Sequence, residues 1–169
     1  MRRFLRWGLF ACLSGFGALG LPAEAHAQQY LIGADGGLSS GMEGGGGEAL
    51  RRTRTRLRLG ADLRIDESPD DILEFAALAE IEPQSGFGGD LRYARMVGSN
   101  FMVDAGILGI VAPASLYGVC AGLTYRLPIS KTVQVTFGPE ADFFFLGTDL
   151  PSNVVLWQMR FQAGFRADL

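Results

Sequence analysis

The chain has 169 residues, 48% of them hydrophobic, with 24 Gly, 12 Phe, two Cys, one His and a net charge of −3. An acidic balance argues against nucleic acid as a partner, and two cysteines are too few for a disulfide scaffold or a cysteine metal cluster. Gly is abundant and helix-period patterns are scarce, so an all-β protein is expected.

Residues 1–27 have the layout of a secretory signal peptide. Arg2, Arg3 and Arg6 form a basic start, Trp7 to Leu21 is an apolar run, and Ala25-His26-Ala27 is a small-x-small cleavage signature. The apolar run is shorter than the ~20 residues a spanning helix needs and is broken by Gly and Pro22. Cleavage after Ala27 removes three Arg and Glu24. The 15 basic and 18 acidic residues become 12 and 17, a net charge of −5. It also removes the sole His, His26, and leaves a single cysteine, Cys120. Residues 28–169 then form one domain, and Arg is its dominant cation, with eleven Arg beside Lys131 alone. Arg suits paired, partly buried sites because its planar fork holds a carboxylate at two points.

The predicted elements follow in order. A short first strand runs from Gln29 to Asp35, and Gly36 to Glu48 (GGLSSGMEGGGGE) is expected to be a flexible loop by composition. From Arg51 the chain alternates: Thr53, Thr55, Leu57, Leu59, Ala61, Leu63 and Ile65 face one way, Arg52, Arg54, Arg56, Arg58, Asp62 and Arg64 the other. A period of two is the strand period. After a turn around Pro69, the third strand answers with Leu73, Phe75, Ala77, Ala79 and Ile81 against Glu74, Leu78, Glu80 and Glu82. Antiparallel partners keep a constant sum of residue numbers, and an even sum keeps like faces together. A sum of 138 sets Arg64 opposite Glu74, Arg58 opposite Glu80 and Arg56 opposite Glu82, whereas 136 sets Asp62 against Glu74; the expectation is therefore 138.

Further strands are expected over 87–97, 101–111, 117–127, 133–145 and 155–169, separated by turns at 83–86, 97–100, 112–116 and 128–131 and a loop at 147–153. On these strands Asp90, Arg92, Asp104, Arg126, Glu140, Asp142, Arg160 and Arg166 share the face of the Arg/Glu ladder. That makes eight strands, most of them about the 9–11 residues that a tilted strand needs to cross a bilayer. An even number brings both termini to one end and lets the last strand close on the first.

If the charges face out, this is a soluble barrel with an apolar interior. If they face in, the apolar face meets lipid. Three features favour the second. The apolar face of strands three and five to eight carries no charge, Arg95 on strand four being the exception. Aromatic residues gather toward strand ends, as in interfacial girdles: Tyr117, Phe143, Phe145 and Trp157 at one end, Tyr30, Phe75, Phe101, Tyr125 and Phe165 at the other. And an eight-stranded interior is just wide enough to be filled by side chains, so long Arg and Glu are expected to reach over the small Gly118, Cys120 and Gly122.

In strand number, connectivity, signal peptide and final amphipathic strand, the chain resembles the small eight-stranded outer-membrane barrels of the OmpA and OmpX type. The resemblance implies an antiparallel up-and-down transmembrane β-barrel in a Gram-negative outer membrane, bedded in outer-membrane lipid and inserted by the barrel-assembly machinery. Such barrels often end in Phe; this chain ends in Leu169, with Phe165 and Phe161 on the same face.

Catalysis is not expected, because a Ser/His or Asp/His site lacks its His. Glu140 and Asp142 lie two apart on one strand face, but each has an Arg at hand and reads as part of a charge-paired lumen. Asp66, Glu67, Asp70 and Asp71 lack calcium-loop spacing, and Gly44 to Gly47 lacks the Lys-Ser/Thr ending of a phosphate loop. No metal or cofactor is expected. The reading is a monomeric structural or surface-interaction barrel whose lumen is laced by Arg54, Arg56, Arg58, Arg64, Glu74, Glu80 and Glu82. The alternatives are a secreted or periplasmic soluble barrel holding an apolar ligand, and a narrow pore.

Overall fold

The computed structural model describes residues 30–169 except 46–47, 66–67, 83–84, 149 and 151–153; the expected signal peptide lies outside the described residues. Eight strands follow one another: β1 (Tyr30–Gly45), β2 (Glu48–Ile65), β3 (Ser68–Glu82), β4 (Gly86–Val97), β5 (Phe101–Ala112), β6 (Leu116–Pro128), β7 (Val133–Gly147) and β8 (Leu156–Asp168). Each pairs antiparallel with its neighbour in sequence and β8 pairs with β1, so the sheet is a closed barrel. Closure leaves no edge along its length.

Alternation drives the sidedness. Along β5 the exposed Val103, Ala105 and Ile107 alternate with inward Met102, Asp104 and Leu108, and the other strands follow the same rule. Leu59 is 58% exposed and Ile107 61%, whereas Arg56 is 2% exposed and Asp142 and Asp62 are wholly buried. The barrel is therefore apolar outside and charged inside.

Two expectations are corrected. The Gly-rich segment expected as a loop over 36–48 is strand wherever it is described: Gly36–Gly45 continues β1, paired on one side with β2 and on the other with β8 as far as Gly45↔Leu156, and Glu48 opens β2. Composition suggested flexibility, but a closed barrel supplies hydrogen-bond partners on both sides. Gly serves a purpose here, because a Cβ at Gly41 would strike the Met159 carbonyl of β8. The second correction is the hairpin register. Observed pairs are Arg56↔Glu80, Leu57↔Ala79, Arg58↔Leu78 and Asp62↔Glu74, a sum of 136. The ladder breaks between Ile65↔Ser68 and Arg64↔Ile72, so Pro69, Asp70 and Asp71 bulge from it. Proline has no amide hydrogen for a ladder, and a bulge accommodates it.

The turns are short. At Val97–Phe101 the chain reverses through Gly98 at φ 78°, a left-handed conformation that Gly adopts without steric cost. Between β6 and β7 the Ser130 hydroxyl accepts from the Thr132 and Val133 amides at 3.3 and 3.0 Å. Tyr30 and Leu169, together with the turns at 98–100 and 129–132, lie at one end of the barrel, here the terminus end; the connection 113–115 and the strand ends Gly45, Glu82 and Gly147 lie at the other, the loop end.

Candidate functional site: the charged lumen

Inward positions on seven of the eight strands, all but β6, converge on one network of ion pairs among the described residues. At the loop end Arg56 reaches from β2 to Glu80 on β3 at 2.7 Å, and across the lumen to Asp142 on β7 at 2.9 Å. It also donates to Gln158 on β8 at 3.1 Å. Arg160 holds Asp142 at 2.6 Å and Glu140 at 3.1 Å. Arg54 pairs with Glu43 and with Glu80, the latter at 2.6 Å.

In the waist Arg58 holds three carboxylates from three strands: Asp35 on β1, Glu74 on β3 at 3.0 Å and Asp90 on β4 at 3.2 Å. Arg92 does likewise with Asp90 at 2.7 Å, Asp104 at 3.1 Å and Glu140 at 2.5 Å. Toward the terminus end Arg64 pairs with Asp168, and Arg166 with Asp62. The guanidinium fork explains the pattern, since five donors in one plane serve two or three acceptors at once.

This bridging also explains the register. A sum of 136 puts Asp62 beside Glu74, yet Arg166 from β8 stands against both, bonded to Asp62 and 3.7 Å from Glu74. The expectation of 138 treated the hairpin as an isolated ribbon, where charges must be matched by the strand opposite. In a closed barrel they are matched across the lumen and along the diagonal. Accordingly Arg58 lies opposite Leu78, not Glu80, and serves Asp35, Glu74 and Asp90 instead.

Of the expected ladder, Arg54, Arg56, Arg58, Arg64, Glu74 and Glu80 lie in the lumen; Glu82 does not, being an exposed residue at the β3 end. Asp90, Arg92, Asp104, Arg126, Glu140, Asp142, Arg160 and Arg166 are all buried inward. Asp35, Glu43, Asp62, Asp168 and Gln158 complete the network and were not singled out from sequence. Glu43 was hidden by the supposed loop. The space beside Gly122 is filled by the neighbouring Asp104 carboxylate rather than by an arginine from across the barrel.

The lumen also contains apolar clusters that alternation did not announce. Leu78, Leu108, Ile110, Leu116, Cys120 and Phe144 pack together toward the loop end, with Leu150 and Leu156 against them. Ile72, Ala94 and Met102, with Met96, pack toward the terminus end. Two cavities inside the lumen measure about 40 and 10 Å³. A water needs roughly 10–15 Å³, so these are water-sized spaces. Charged pairs and the two apolar clusters among the described residues fill the barrel. Among the described residues, no group of three or more His, Cys, Asp or Glu is arranged to hold a metal ion.

Outside, the wall is aliphatic, with aromatic residues toward both rims. Phe101 and Tyr125 meet edge to face at 5.1 Å, and Tyr125 and Phe137 meet at a tilt of 44° at 5.3 Å. Tyr117, Phe143 and Phe145 are exposed nearer the loop end. Phe75 lies at the middle of β3 rather than near its end, and Trp157 is half-buried against Gly44. The exceptional outward Arg95 stands 3.7 Å from Asp71, which also accepts from the Tyr93 hydroxyl at 2.5 Å.

No sequence family and no curated protein matches the chain. Among solved structures it is similar to Neisserial surface protein A at 14% identity, over 83% of this chain and 97% of that one, with a TM-score of 0.45. The geometry of the barrel itself carries the conclusion: with eight antiparallel strands joined in sequence order, its charges inside and its apolar side chains outside, the chain has the architecture of the small eight-stranded outer-membrane barrels.

Proposed function

We propose that this chain is an outer-membrane barrel with a structural or surface-interaction role, held rigid by a plugged, charge-laced lumen. The observation that supports it is the sidedness of the wall. Large apolar side chains such as Leu59, Phe87, Ile107, Phe161 and Phe165 point outward and are more than half exposed, while sixteen of the described polar or charged residues are buried inside. In water such a surface is an aggregation site, whereas in a bilayer it is the solvated face. All backbone polar groups of a spanning strand need partners within the protein, and closure supplies them.

In this reading outer-membrane lipid is the constant partner, the barrel-assembly machinery inserts the chain, and the barrel acts as a monomer. The rims rich in aromatic residues sit at headgroup level, where the Arg95–Asp71–Tyr93 cluster faces polar surroundings rather than acyl chains. The water-sized lumen cavities speak against a pore. The connections described at the loop end are brief, which favours a role in the wall of the envelope over recognition by long loops.

The test is fractionation of cells expressing the full-length chain, with unboiled and boiled samples compared on a gel. Recovery in the outer-membrane pellet, with a faster-migrating compact band when unboiled, is the expected outcome. Recovery as a soluble periplasmic protein overturns the reading.

A further inference from the structure

We infer that Arg126 holds a small inorganic anion, of the halide class, in the terminus-end half of the lumen. Arg54, Arg56, Arg58, Arg64, Arg92, Arg160 and Arg166 each have a carboxylate within 4.0 Å. Arg126 has none among the described residues. Its Nε donates to Gln134 Oε1 at 2.7 Å and its Nη1 contacts Met96 Sδ at 2.9 Å, both neutral partners. The residue is only 5% exposed. A guanidinium this deep without a counter-charge is expensive, because it has left water and gained no opposite charge in return.

The side chain borders the cavity of about 40 Å³, which is large enough for a monatomic ion or a few waters and too small for an organic ligand. Four guanidiniums line that space, Arg58, Arg92, Arg126 and Arg166, against the three carboxylates Asp35, Glu74 and Asp104. Those carboxylates are already engaged: Asp35 and Glu74 with Arg58, and Asp104 with Arg92. The balance left at Arg126 is positive. Thr124 adds a donor, because its hydroxyl oxygen accepts from Gln162 Nε2 at 2.8 Å and its hydrogen remains to be given. This site depends on the closed barrel and not on where the barrel resides, so it stands or falls separately from the outer-membrane reading.

The experiment uses the protein purified in detergent and exchanged into sulfate, with chloride added at constant ionic strength and thermal unfolding followed by tryptophan fluorescence. A saturable rise in unfolding temperature is expected, since a ligand that binds the native state alone stabilises it. Arg126→Gln should weaken the apparent chloride affinity by about tenfold or more, and Thr124→Val by a smaller factor. Crystals soaked in bromide should show an anomalous peak within hydrogen-bonding distance of the Arg126 guanidinium. Absence of a chloride-specific rise, or bromide lying elsewhere with water alone against Arg126, overturns the assignment. Should Arg126→Gln fail to fold, the bromide position and Thr124→Val decide.

Discussion

The two halves of the lumen solve the same problem differently. Toward the loop end Arg54, Arg56 and Arg160 are stitched to Glu43, Glu80, Glu140 and Asp142, and the Phe144–Leu78–Leu108–Ile110 cluster packs beside them. Toward the terminus end Arg64 and Arg166 still pair with Asp168 and Asp62, but Arg126 makes do with Gln134 and Met96, beside the larger cavity. Burial alone therefore does not dictate pairing. Where strands bring several carboxylates within reach, an arginine becomes a bridge; where they do not, it is left with dipoles and whatever occupies the space.

That contrast can be broken experimentally at its strongest point first. Arg58→Ala removes the bridge that ties Asp35, Glu74 and Asp90 together and leaves Asp35 without a cation within 4.0 Å among the described residues, while Asp90 keeps Arg92; breaking a buried ion pair by removing one partner costs about 3–5 kcal/mol. Denaturant titration of the refolded barrel in detergent reads this directly. A loss within ~0.5 kcal/mol, usual for surface sites, would mean that the network is solvated and the lumen open. Phe144→Ala tests the apolar cluster. Phe144 is fully buried, and truncation of a core Phe costs about 3–5 kcal/mol.

On the outer face, Val119→Arg should destabilise the barrel in bilayers by about 2–4 kcal/mol if its site lies near the midplane, as measured by folding into lipid vesicles. Val119 faces outward in the loop-end half of β6. If the same substitution is tolerated in bilayers, that face does not meet acyl chains. Glu82→Ala is the control: it is exposed beyond the ladder, and its effect should stay within about 0.5 kcal/mol. A much larger loss would return Glu82 to the network that the structure places it outside.

Strand number, order and facing were legible because a period-two pattern needs no knowledge of neighbours. Arg54, Arg56 and Arg58 alternate with Thr55, Leu57 and Leu59 whatever lies beside them, and the register error of two left every one of them on its expected face. The Gly-rich half of β1 was misread for the converse reason. Ten residues from Gly36 to Gly45 carry little side-chain pattern, and their strand conformation comes from ladders on both sides, which no local signal encodes. Glu43 was lost with that segment. Leu78 and Phe144 stood on the charged face in plain view, but their packing joins β3 to β7 and needs the closed barrel to be seen.

The sequence by itself determined that eight alternating strands would divide their side chains into one apolar and one charged face, because the pleat sends neighbours to opposite sides. Which carboxylate each arginine serves was decided by tertiary structure alone. Closure brings β2 within reach of β7 and β8, and a guanidinium bonds to whatever acceptors the curved wall sets around its fork. Partners are matters of distance across the lumen, and distance across a closed sheet is not written in the spacing of residues along the chain.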